Sequence, residues 1–125
     1  NIDPAKWHPW ESCSGISKAY GNHWMETEAM VMSEKEFICH FADIVSRGGN
    51  LLLLVNLDAQ GAMVEHQRKR LMQIGEWLKA NGEAIYGTRG AGISEDGKIC
   101  RTQRDGVVYE ILLPDDPSDY PSVRR

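Results

Sequence analysis

The chain has 125 residues, 42% hydrophobic and 26% charged, with 18 acids against 14 Lys and Arg and a formal net charge of -4. That balance leaves room for one core and provides no basic face for nucleic acid, so no nucleic-acid partner is expected. No stretch is long and apolar enough for a bilayer span and the first residues lack a secretory pattern, so no membrane partner is expected and the compartment stays open.

The chain starts at Asn1 without an initiator methionine, as expected of either a processed product or a piece of a longer protein. Cys13, Cys39 and Cys100 are far apart, and His8, His23, His40 and His66 show no ligand spacing. Neither a metal nor a cofactor is expected. Buried apolar thiols are the default for such cysteines, and one pair could still bridge.

Trp7, His8, Pro9, Trp10 and Glu11, near the start, form an aromatic stretch ending in a carboxylate. A pyranose stacks its apolar face on a ring while its hydroxyls need hydrogen-bond partners, so Trp10 and Glu11 are candidates for a sugar site. Packing in a core or interface is the competing role for such tryptophans. Residues 12 to 32 show neither alternation nor a helical stripe, which reads as a long loop. Tyr20 and Trp24 argue against disorder there. Glu26 and Glu28 share a side if the backbone is extended, so either presents a carboxyl group to a pocket or both are solvated.

Ser33 and Glu36 form a capping box, and Phe37, Phe41, Ile44 and Val45 then predict a helix over 33–46, closed by Gly48 and Gly49. The run Leu51, Leu52, Leu53, Leu54, Val55 predicts a strand over 51–56, buried on both faces in a parallel sheet. A second helix is expected over 64–80, burying Leu71, Ile74 and Leu78 with Trp77 at the edge of the stripe and Arg68, Lys69 and Arg70 solvated. Helix, buried strand, helix is the alternation of an α/β fold, which gathers chemistry at the carboxyl ends of its strands, here near Asn56. Asp58, in the following turn, either caps it or meets a ligand, capping being the commoner role.

Beyond Arg89, the residues Gly90, Gly92, Asp96 and Gly97 read as a linker. A hairpin is expected from strands 98–103 and 107–113, joined through Arg104, Asp105 and Gly106, and the proline-containing tail is expected to fray. Two strands alone are marginal in water, so a further partner or missing sequence is implied.

The strings His8, Pro9, Trp10, Glu11; then Asp43 through Leu53, which includes Arg47, Gly48, Gly49, Asn50; then Ile74 through Arg89, which includes Gly75, Glu76, Trp77, Leu78, resemble the late catalytic-barrel segment of the α-L-fucosidase family of retaining glycoside hydrolases. The resemblance covers roughly residues 7–89. It implies that 1–89 form the C-terminal part of a (β/α)8-like barrel and that 90–125 form a linker and the first strands of a C-terminal β-sandwich. The implied substrate is a fucosylated oligosaccharide or glycoconjugate. Alignment from Glu11 without a gap puts the family's acid/base position on Glu26, with Glu28 in reserve. Trp10, Glu11, Trp24 and Leu51 are the implied substrate contacts, Leu51 facing the fucose methyl group. The family's aspartate nucleophile lies upstream of the Trp-Glu segment, and a complete barrel needs about 200 residues or more. The expected partner is therefore a missing N-terminal barrel segment, without which the chain is expected to be inactive. Ser14 stands where some members carry a sugar-contacting arginine. The alternative is a non-catalytic carbohydrate-binding or structural module derived from the same fold.

Overall fold

The computed structural model describes residues 8–18, 24–116 and 119–125. Asn1, Trp7, Tyr20 and His23, named above, lie outside the described residues.

A parallel pair of strands begins the fold. Strand β1, Glu11–Gly15, pairs with β2, Asn50–Leu54, in the register Glu11 with Asn50 through Gly15 with Leu54. Parallel neighbours require a crossover, and helix α1, Glu34–Ser46, lies on the path between them. Its start is the expected capping box: Glu36 N donates to Ser33 Oγ at 3.2 Å and Ser33 N to Glu36 Oε2 at 2.9 Å. Gly48, at φ 78°, ends it in the left-handed conformation that only glycine adopts without cost.

Two expectations are corrected here. The stretch read as a long loop contains β1, whose Glu-Ser-Cys-Ser-Gly sequence has no strand signature and is extended by its pairing with β2. The leucine run is not buried on both faces. Ser12, Ser14, Leu51 and Leu53 share a half-buried face, with Ser14 Oγ 3.2 Å from His40 Nε2 on α1. Glu11, Cys13, Asn50, Leu52 and Leu54 share the other, and Leu52 is 52% exposed because no described element covers that side.

Helix α2, Glu65–Asn81, follows and runs into a 3-10 turn at Gly82–Ala84. Ile74 is buried as expected. Trp77 is not at the edge of the stripe: it is buried, its Nε1 donating to Pro121 O at 3.0 Å. Arg70 is likewise not solvated, since its guanidinium is nearly covered and pairs with Glu34. Asp58 caps its turn, its Oδ1 accepting from Gln60 N at 2.9 Å and Ala62 N at 2.8 Å.

The second sheet is antiparallel, with strands β3, Arg89–Ile93, β4, Ile99–Arg104, β5, Val107–Leu112, and β6, Ser122–Arg124, in sequence order. The β4–β5 hairpin is the expected one. Asp105 at φ 51° and Gly106 at φ 80° give the two positive angles its two-residue turn needs. Gly90 and Gly92, read as part of a linker, are in β3 instead, whereas Gly97 lies in the turn between β3 and β4. A Cβ at Gly90 would overlap Gly48 N, so glycine lets β3 lie against the end of α1. The tail expected to fray supplies β6, paired with β5 through Ile111 and Val123. Four strands, rather than two, resolve the marginal stability of an isolated hairpin.

One apolar cluster joins Ile38 and Ala42 of α1, Trp77 of α2, Ala84 and Ile85, and Cys100, Tyr109 and Ile111 of the second sheet. None of the three cysteines forms a disulfide: Cys100 is buried, Cys39 half-buried and Cys13 exposed. No helix among the described residues is long and apolar enough to cross a membrane.

Candidate active site

The first sheet brings polar groups together just past its carboxyl end. Asn56, two residues beyond β2, is buried, and its backbone N donates to Gln67 Oε1 at 2.8 Å. Gln67 lies in the first turn of α2 and is 0% exposed. Its Nε2 donates to Glu26 Oε1 at 2.7 Å, and His66 Nε2 lies 2.6 Å from the same oxygen. Asn56 Nδ2 donates to Glu26 Oε2 at 3.3 Å. The Glu26 side chain is only 4% exposed. An unpaired carboxylate this buried would be costly, and these donors offset that cost.

The electrostatics follow from the partners. Burial alone would raise the Glu26 pKa, but hydrogen bonds from Ser17, His66 and Gln67, together with the charge of His66, outweigh it and hold the carboxyl below the usual glutamate value. Glu26 as it stands is a carboxylate, ready to accept a proton.

The other expected site residues are distributed unevenly. Glu28 opens a 3-10 turn and faces solvent at 57% exposure, 3.5 Å from Lys69 Nζ. The backbone turn therefore separates the two acids that an extended chain would have put on one side. Trp24, two residues before Glu26, is 89% exposed. Trp10 precedes β1, and its ring covers Gly49, where a Cβ would overlap it. Its Nε1 donates to Arg47 O at 3.3 Å. Glu11 begins β1, roughly 13 Å from the strand's carboxyl end at 3.3 Å per residue. Leu51 is on the α1-facing side, opposite Glu11. The structure thus groups Glu26 with Asn56, His66 and Gln67 and keeps Trp24 nearby in sequence. It does not bring Trp10, Glu11 or Leu51 to that cluster.

Gln67 and His66 were not among the expected site residues. A signal for Gln67 was present: it lies four, seven and eleven residues before Leu71, Ile74 and Leu78, so a polar amide occupies the apolar stripe of α2. A buried amide there needs partners on both its ends. His66 carried no comparable signal. Among the described residues no group of three or more His, Cys, Asp or Glu is placed to hold a metal ion.

A parallel α/β frame with a buried carboxylate at the carboxyl ends of its strands is the arrangement of an α/β enzyme domain. Residues 1–83 match the family model described as alpha-L-fucosidase, and the chain belongs to that family. It is 40% identical over 114 residues to the alpha-L-fucosidase of Dictyostelium discoideum, covering 87% of this chain and 25% of that protein. Against the tissue alpha-L-fucosidase of Rattus norvegicus the identity is 34% over 110 residues, covering 85% and 24%. The crystal structure of Thermotoga maritima alpha-fucosidase in complex with fucose superposes with a TM-score of 0.77 at 34% identity, covering 85% of this chain and 26% of that one. The chain thus spans about a quarter of the length of the relatives it matches.

Proposed function

We propose that this chain is the late part of the catalytic barrel, with the start of the C-terminal β-sandwich, of a retaining α-L-fucosidase that removes terminal α-L-fucose from oligosaccharides or glycoconjugates, and that Glu26 is its acid/base. The observation that carries the reading is the Glu26 cluster: one carboxylate, buried past the carboxyl end of a parallel strand and held by side chains from the segment after β2 and from α2.

In such a reaction an aspartate supplied by an earlier strand attacks the anomeric carbon while the acid/base protonates the departing oxygen. The acid/base then takes a proton from water as the water displaces the aspartate. The ionised state of Glu26 suits this second half directly. The first half needs the protonated form, which a negatively charged nucleophile at roughly 5 to 5.5 Å favours by like-charge repulsion. Trp24, broadly exposed beside Glu26 in sequence, is the proposed stacking surface for the sugar. Glu28, engaged with Lys69 at the surface, is left out of the chemistry.

The test is Glu26→Ala in the full-length enzyme that carries this chain. Loss of turnover on a phenyl α-L-fucoside, with azide restoring turnover of an activated aryl α-L-fucoside as fucosyl azide, is the expected result, because an activated leaving group needs no acid and azide needs no base. Undiminished hydrolysis of the phenyl substrate overturns the assignment. The 125-residue chain by itself is expected to show no turnover.

A further inference from the structure

The N–H donors around Glu26 are arranged unequally on its two oxygens. Oε1 accepts from the neighbouring residues His66 and Gln67, at 2.6 and 2.7 Å, whereas Oε2 receives Asn56 Nδ2 at 3.3 Å. Gln67 is itself fixed at its other end by Asn56 N. Two N–H groups therefore hold Oε1, and Oε2 has the longer N–H contact. The His66 side chain keeps 22% of its surface in solvent. Other charges on the adjoining elements have their own partners. Glu28 meets Lys69 at 3.5 Å and Arg70 at 3.8 Å, Arg70 also pairs with Glu34, and Glu65 meets Arg68 at 2.7 Å. The Ser17 hydroxyl also bonds Glu26.

We propose that His66 is a positioning residue for Glu26: it anchors Oε1 so that Oε2 faces the reacting oxygen, and as an imidazolium it sets the pH at which Glu26 stops delivering its proton. This rests on the reading of Glu26 as acid/base. In the first half-reaction the proton leaves Oε2 for the departing oxygen as the glycosidic C–O bond breaks and the aspartyl ester forms. In the second, a water proton moves to Oε2 as the water oxygen bonds the anomeric carbon and the ester C–O bond breaks. His66 neither gains nor loses a proton over the cycle. A cation beside a carboxyl group favours its ionised form, so removing the cation extends the protonated form to higher pH.

The experiment compares His66→Leu and His66→Gln in the full-length enzyme through the pH dependence of kcat/KM on a phenyl α-L-fucoside. Both variants are expected to move the alkaline limb upward by about one pH unit, the scale of a single neighbouring charge. His66→Leu also loses the anchor and is expected to lower kcat about tenfold to a hundredfold with KM nearly unchanged. His66→Gln retains an N–H donor and is expected to recover most of that kcat while keeping the displaced limb. An alkaline limb that stays in place in both variants overturns the proposal, and if His66→Leu does not fold, the limb of His66→Gln decides alone. The two readings fail separately. Retained turnover in Glu26→Ala removes the assignment of Glu26, whereas azide-rescued Glu26→Ala beside unmoved His66 profiles removes only the role of His66.

Discussion

The two sheets of this chain hold apolar side chains in opposite circumstances. In the four-stranded sheet, Cys100, Thr102, Tyr109 and Ile111 alternate inward and are covered by α1, α2 and the turn at Gly82–Ala84. In the two-stranded sheet, a denser apolar run leaves Leu52 and Leu54 in contact with solvent. Hydrophobicity of a segment therefore does not decide its burial; the number of elements available to cover it does. The first sheet is one-sided because α1 covers one face and no described element covers the other, a situation that a further run of barrel strands would change.

Substitutions in the two sheets sharpen this contrast. Ile111→Ala is expected to have the largest effect, a loss of about 2–5 kcal/mol in urea unfolding, because it empties a closed core. A loss below about 1 kcal/mol would mean that the second sheet is no better packed than the first. Gly90→Ala follows, at about 1–3 kcal/mol, since its methyl group meets the backbone at Gly48 and Ser46 rather than a flexible side chain.

At the carboxyl end of the first sheet, Glu26→Gln is expected to cost about 1 kcal/mol at neutral pH and to flatten the acid limb of stability. The folded pKa of Glu26 is depressed below the ordinary value of 4.5, so its contribution is complete above about pH 4.5 and is lost as the pH falls through the lower folded value. Chemical denaturation of both proteins between pH 7 and 3 checks this, and parallel pH curves would remove the linkage. Leu52→Ala is expected to be the mildest in this chain, within about 0.5 kcal/mol. In the full-length enzyme proposed above, the same change is expected to cost about 2–5 kcal/mol. An equally mild effect there would contradict the barrel reading of the first sheet.

Much of the fold was legible where local rules suffice. The Ser33 and Glu36 box, the stripe of α1 and the Asp105-Gly106 turn are each decided by a few adjacent residues. Strand β1 was not legible, because Ser12, Cys13 and Ser14 owe their extended form to β2, nearly forty residues away. The glycines of β3 looked like a linker because the close approach to Gly48 that requires one of them is a tertiary fact. Glu26 and Glu28 were both candidates from the loop residues, and only family resemblance put Glu26 first. Its partners were not legible, apart from the misplaced amide of Gln67 on an apolar stripe, because the clamp forms only once α2 packs beside Asn56.

The hydrogen bond from Trp77 to Pro121 joins residues 44 apart in sequence. On a ribosome adding about 5–20 residues per second, the indole is made roughly two to nine seconds before its acceptor. Through that interval the part of the core that the second sheet and Pro121 supply around this large aromatic ring of α2 is still incomplete. Holding or releasing that helix is thus a matter of timing as well as of packing. Slowing translation between codons 78 and 121 lengthens the period in which a chaperone, or another nascent chain, finds that surface first.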